Sequence, residues 1–305
     1  MAALEKVHPT LEDLVRLQFD ARGFSLLPRQ PVESLLSGRH ASRLRGRGLT
    51  FEELREYREG DDIRTIDWKA SARLRKTHVR VYSEERERPV LFVVDQRTSM
   101  FFGSARTTKA TAAAEIAALG AWRTLHAGDR VGALIFGDEE VIQIKPHRSR
   151  TNVLRICHEL VRMNESLSAS SPRSNRATLN EALKQAANLA PHDYLIVLVT
   201  DYTGNNEETR RLATSLAAHN DVLAILTYDP MGIRLPSGDG LEATDGATRL
   251  TVPKGKKFDQ SFEELFSRRL DQLREQLGSL RIPILPICTH DPVTEQIIGA
   301  LGHRR

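Results

Sequence analysis

Val90 to Val94 is an unbroken apolar run that ends abruptly on Asp95, and few folds accommodate it. A strand apolar on both faces must be buried on both, as inside a parallel sheet covered by helices on each side. Tyr194 to Val199, ending in Thr200-Asp201, and Val222 to Thr227, ending in Tyr228-Asp229-Pro230, read the same way. Helical patterns separate these runs. Thr108 to His126 is alanine-rich, turns Ala112, Ile116, Leu119 and Trp122 inward, and stops at Gly128. Thr151 to Met163 carries Val153, Leu154, Cys157, Leu160 and Val161 on one face, which makes Cys157 a core residue. Thr178 to Leu189, Asn206 to His219 and Phe258 to Leu277 are further helices. Val131 to Phe136 is a strand, with Gly137-Asp138 as a tight turn into its hairpin partner Val141 to Ile144. Short strands are read at Arg249 to Val252 and at the proline-broken run Ile282 to Ile287. Strands alternating with helices predict an α/β fold: a mainly parallel central sheet flanked by helices, with right-handed crossovers.

Charge and cysteine content narrow the function classes. With 44 Lys and Arg against 40 Asp and Glu, the net charge of +4 does not by itself call for nucleic acid. The two cysteines cannot build a disulfide framework or a Cys-x-x-Cys zinc site, and a reduced compartment is the economical reading. The first residues lack the basic and apolar regions of a signal peptide, and no apolar run approaches the ~20 residues of a bilayer span. A soluble, cytoplasmic chain is expected.

Residues 1–87 read as an N-terminal region ahead of an α/β domain at 88–305. Thr10 with Asp13 opens a short helix carrying Leu11, Leu14, Val15 and Leu17, and a second short helical piece is read at Val32 to Leu36. From Arg39 to Arg88 arginines are dense, yet almost every one has an acidic neighbour. Phe51, Leu54, Tyr57, Ile63, Ile66 and Trp68 are spaced as anchors of a small packed unit. Three readings stand side by side: a protein-recognition surface, a salt-bridged cover over a sheet edge, and phosphate contact through Arg43, Arg45 and Arg47. Interleaved carboxylates argue against a nucleic-acid groove, which is single-signed.

The motifs Arg45-Gly46-Arg47-Gly48, Phe51 to Tyr57, Gly60-Asp61-Asp62-Ile63-Arg64, Ile66-Asp67-Trp68-Lys69 and Ser71-Ala72-Arg73 resemble the signature of the domain-of-unknown-function 58 family. The likeness continues through Glu84-Glu85-Arg86, Gly128 to Gly132, Asp229-Pro230 and Leu235-Pro236, so it covers most of the chain. It implies a von Willebrand factor A-like domain and, as partners, an AAA+ ATPase of the MoxR type and protein clients. It also implies a metal-ion-dependent adhesion site holding Mg2+, built from Asp-x-Ser-x-Ser, a distant Thr and a distant Asp. Asp95 and Ser99 match the ends of the first motif, Asp201 the distant aspartate, and Thr178 the threonine, with Ala177 as the one-residue alternative. The middle serine is replaced by Arg97. A guanidinium ~4 Å from a cation costs about 4 kcal/mol per unit charge at an effective dielectric of 20. Arg97 either swings out to solvent or pairs with Asp201 in place of the ion. Thr178 with Glu181 also reads as an ordinary capping box.

Expected partner-binding residues are therefore Arg97 on the sheet edge and Asp61, Asp62, Arg64, Asp67, Trp68 and Arg73 in the signature block. No phosphate loop, Gly-x-Ser-x-Gly elbow or His-Glu-x-x-His pair is present, and the ten histidines are scattered. The expected function is a non-catalytic protein-protein adaptor. The alternative is a metal-dependent hydrolase using the strand-end carboxylates.

Overall fold

The computed structural model describes residues 4–26, 49–84, 88–168, 174–232, 242–244, 249–251 and 256–302. The helical piece at Val32 to Leu36 and Arg43, Arg45 and Arg47 lie outside them. The chain divides into two compact units, Met1–Val32 with Arg88–Arg305, and Glu33–Glu87. In this division the first segment belongs to the large unit instead of standing with the signature block. The cause is burial: Leu14, Ala21 and Phe24 sit in the main core, and the Trp122 indole N–H donates to the Leu14 carbonyl at 3.0 Å.

In chain order, helix α1 (Leu11–Arg16) opens with the expected capping box between Thr10 and Asp13. The small unit follows, with strand β1 (Leu49–Glu56), a 3-10 turn (Ile63–Thr65), α2 (Trp68–Leu74) and β2 (His78–Glu84). Strands β1 and β2 form an antiparallel pair that the dense charge pattern had concealed. The large unit resumes with β3 (Val90–Asp95), α3 (Lys109–His126), β4 (Val131–Phe136), β5 (Val141–His147), α4 (Arg150–Glu165) and α5 (Thr178–Leu189). It continues through β6 (Leu195–Thr200), α6 (Glu207–His219), β7 (Asp221–Tyr228), a short hairpin of β8 (Glu242–Thr244) and β9 (Arg249–Thr251), and α7 (Lys256–Gly278). It closes with β10 (Ile284–Cys288) and α8 (Val293–Leu301), a helix not foreseen from the sequence.

Six strands make the central sheet in the order β10-β7-β6-β3-β4-β5, all parallel except β5. Along β3 the side chains alternate between two cores. Val90, Phe92 and Val94 pack with α1, α3, α4 and α8, whereas Leu91 and Val93 pack with α5, α6 and α7. The chain runs outward from β3 to β4 and β5, then returns to add β6 on the other side of β3. The strand order therefore reverses between β3 and β6, the place where open α/β sheets gather their ligands.

Helix α3 was expected to be amphipathic, yet 14 of its 18 residues are buried. It packs on β3, β4, β6 and β7, with α1 against it and with α4 and α8, which also touch the sheet, as neighbours. Its run of alanines lets the backbones approach closely. Gly120 marks the tightest approach: a Cβ there would fall 2.4 Å from Cζ of the fully buried Phe92. Gly120→Ala is therefore expected to destabilise the protein by about 1–3 kcal/mol through overpacking. A urea midpoint equal to that of the parent would refute this account of the α3–β3 contact.

Candidate functional site

Asp95 is the last residue of β3, and Asp201 directly follows Thr200, the last of β6. Arg97 joins them. Its Nε donates to Asp95 Oδ1 at 2.9 Å and its Nη2 to Asp95 Oδ2 at 2.6 Å, a two-pronged fork on one carboxylate. Nη2 also donates to the Thr203 carbonyl at 3.1 Å and lies 3.9 Å from Asp201 Oδ1, while Nη1 reaches the Asn175 carbonyl at 3.5 Å. The guanidinium carbon stands 5.4 Å from the centre of the Phe136 ring. Arg97 and Asp95 are both 0% exposed. Arg97 does not swing into solvent; it does reach Asp201, but its main partner is Asp95, with Asp201 second. Having no surface, it cannot touch a partner directly.

The local chain explains why Arg97 turns inward. Its own N–H donates to Asp95 Oδ1 at 3.0 Å, and a 3-10 turn, Thr98–Met100, follows immediately. Asp138, read from the sequence only as a turn residue, clamps this turn. Its Oδ2 accepts from both the N–H and the hydroxyl of Thr98 at 2.7 Å. Its Oδ1 accepts from the Ser174 hydroxyl at 2.9 Å and the Asn175 N–H at 2.7 Å. On the β6 side, Tyr202 takes a left-handed backbone (φ 55) and donates its N–H to Thr200 Oγ1 at 3.1 Å. Gly204 (φ 88) follows, where a Cβ would meet Arg176 Cβ at 2.8 Å. These constraints bring the Asn175 and Thr203 carbonyls to the guanidinium.

Each carboxylate has its own cation. Asp95 Oδ1 accepts two bonds from Arg97, and Oδ2 accepts one from Arg97 and one from the Thr200 hydroxyl at 2.6 Å. Its acceptor capacity is filled. Asp201 Oδ2 accepts from Lys109 Nζ at 2.6 Å, and Oδ1 from the Thr203 N–H at 2.8 Å. Burial pushes the Asp95 carboxyl up from its usual range, and the Arg97 bonds pull against it. Burial also works against charge on Arg97, but its bonds to Asp95, with the fields of Asp95, Asp201 and Asp138, hold the guanidinium above its ordinary value. Burial likewise opposes ionisation of Asp201. There the Lys109 charge and hydrogen bond prevail and keep the carboxyl below the usual range.

The residues present do not fit a divalent cation. Such an ion asks for about six oxygen ligands with free lone pairs, and Asp95 has none left. The Thr178 hydroxyl donates to the Asn175 carbonyl at 2.8 Å, so it meets the cluster only through that shared acceptor. It does not form the expected capping box either, because Ala177 caps α5 without a side-chain bond. The Ser99 hydroxyl is buried with no hydrogen-bond partner among the described residues, and each Asp201 oxygen accepts a single hydrogen bond from them.

Asp229, the third strand-end aspartate, is also internal. It accepts from the N–H and hydroxyl of Ser104 at 2.9 and 2.5 Å, from the Thr289 hydroxyl at 2.5 Å and from the Met231 N–H at 2.9 Å.

In the small unit the signature-block carboxylates are structural. Asp61 is gripped by Arg55 at 2.7 and 2.8 Å and by the Arg58 N–H at 2.8 Å. Asp62 caps the 3-10 turn through the Arg64 N–H, and Asp67 caps α2 through the Ala70 N–H while pairing with Arg80. Ile63 and Trp68 are not core anchors: they are 67% and 72% exposed. Arg64 and Arg73 are exposed beside them.

The family model described as "Protein of unknown function DUF58" matches residues 53–272. The chain belongs to this family. Among the relatives of this DUF58 chain, uncharacterised proteins of Mycobacterium tuberculosis and Mycobacterium bovis are 29% identical over 289 residues, covering 93% of this chain and 88% of theirs. Of solved structures, the conserved hypothetical protein BatB from Bacteroides thetaiotaomicron is similar with a TM-score of 0.40 and 13% identity, over 70% of this chain and 98% of that one. A von Willebrand factor type A protein from Catenulispora acidiphila is similar with a TM-score of 0.36 and 11% identity, over 73% of this chain and 42% of that one.

Two predictions test the electrostatics of the DUF58 site. Asp95→Ala leaves a buried guanidinium without its main partner and is expected to cost about 3–5 kcal/mol, whereas Asp95→Leu with Arg97→Met recovers most of that loss. Urea unfolding of the three proteins measures it, and a mild effect of Asp95→Ala alone would contradict the burial. Because the folded Asp201 pKa is depressed, its contribution is present above the ordinary carboxylate value of 3.8 and is lost as pH falls below it. Lys109→Met is expected to move the acid-unfolding midpoint to higher pH, followed by circular dichroism; an unmoved midpoint would deny Lys109 this role.

Proposed function

We propose that this DUF58 chain is a non-catalytic, cytoplasmic protein-interaction module that works with an AAA+ ATPase of the MoxR type on protein clients. The observation that carries this reading is the internal neutralisation of the strand-end carboxylates. Asp95 is spent on Arg97 and Asp201 on Lys109, so the sheet edge offers shaped loops in place of free acid, base or metal ligands. That supports a binding role over the hydrolase alternative, in which those carboxylates would have to hold an ion or activate water. The small unit supplies the second contact face. Ile63, Trp68 and Leu74 are 67%, 72% and 47% exposed, and exposed arginines at 64 and 73 accompany them. Trp and Arg are the side chains that most often dominate interface energies, whereas the carboxylates of the same block are occupied in holding its shape.

The tagged chain is expected to capture a MoxR-type ATPase from its own cell extract and to show no turnover of phosphoester substrates. Trp68→Ala is expected to weaken that capture by about 30-fold, as loss of a ~2 kcal/mol anchor would. Failure to recover an ATPase, together with wild-type behaviour of Trp68→Ala, would overturn the proposal. Metal-dependent turnover abolished by Asp201→Ala would replace it with the hydrolase reading.

A further inference from the structure

We infer that Arg97 is itself the cation of the strand-edge site, a guanidinium carried on the chain in the position a divalent ion would hold. Its surroundings are those of a bound cation. Oxygens reach it from the Asp95 carboxylate, the Asp201 carboxylate, the Thr203 carbonyl and the Asn175 carbonyl, so three chain segments converge on one positive group. A long charged side chain with no exposed surface is retained in a core only when it is paired in this way.

The local charge is already largely compensated. Three carboxylates, Asp95, Asp201 and the half-buried Asp138, face two cations, Arg97 and Lys109, and a divalent ion added to them would leave excess positive charge in a buried place. A planar fork also does what a spherical ion does less rigidly, fixing the relative orientation of the groups it binds. The partnerless Ser99 hydroxyl is the remaining sign of an oxygen-lined site. Exchanging Arg97 for serine would place hydroxyls at 97 and 99 after Asp95 and remove the competing charge. The rim segments 95–99, 174–178 and 200–204 are thus held together whatever the divalent ion concentration, and recognition at this edge is indifferent to chelators. This goes beyond the interaction reading, and its test contains no partner, so either can fail without the other.

The experiment titrates the full-length chain with Mn2+ by calorimetry and follows thermal unfolding in excess Mg2+ or EDTA. The parent is expected to show no saturable Mn2+ binding and the same Tm in both solutions. Arg97→Ser is expected to gain one saturable Mn2+ site per chain and a Tm rise of about 5 °C at ~100 Kd, both lost when Asp201→Ala is added. Saturable binding by the parent that Asp201→Ala abolishes would overturn the inference, as would a folded Arg97→Ser that binds no Mn2+. Should Arg97→Ser be unfolded without metal, its recovery in Mn2+ counts in favour. If it does not recover, Arg97→Lys decides: a folded, metal-blind protein supports a resident cation, and Mn2+ binding by that variant refutes it.

Discussion

A buried ion pair at the turning point of the sheet holds this structure's functional edge together. The Asp95–Arg97 fork lies where β3 and β6 part company, and the segments carrying Asn175, Thr200 and Thr203 are hydrogen-bonded to it. Such a pair is a poor source of net stability, because desolvating both charges offsets most of their attraction. Its effect is on shape. A guanidinium has fixed bond directions, so the carbonyls of Thr203 and Asn175 are positioned by the same group that neutralises Asp95. Asp138 reinforces the arrangement from the other side by binding four donors drawn from two loops.

The small unit follows the same rule with exposed groups. Its aspartates are consumed by Arg55, Arg80 and backbone N–H groups, each within one short stretch of chain. Individually such pairs are worth little where water reaches them. Collectively they define a scaffold for the 57–77 connection, which leaves Trp68 and Ile63 outward although nothing in their composition requires it.

How much could be read from sequence differs by kind of interaction. Period and run length gave away β3, β6, β7 and helices α3 to α7, because burial on one or both faces writes directly into residue order. The convergence of positions 95 and 201 also followed, since parallel strands end on one edge. Hidden were the contacts with no local pattern. Lys109, at the start of α3, meets Asp201 only because the helix begins near the place where β6 ends, and Asp138 bonds Ser174 across 36 positions. The fork of Arg97 onto a residue two places earlier needed the turn geometry to be known. The β1–β2 pair was masked by alternating charge, which reads as loop until a partner strand is seen.

The large unit is discontinuous in sequence, and that has a consequence for its assembly. Leu14 and Phe24 are covered by α3, α4 and α8, and the backbone at Phe24 and Ser25 bridges to Gly302 and Leu301. Residues 11–26 leave the ribosome well before the helices α3, α4 and α8 that shelter them. Their apolar side chains stay uncovered until α8 has followed, a window in which a chaperone or a premature contact competes for them.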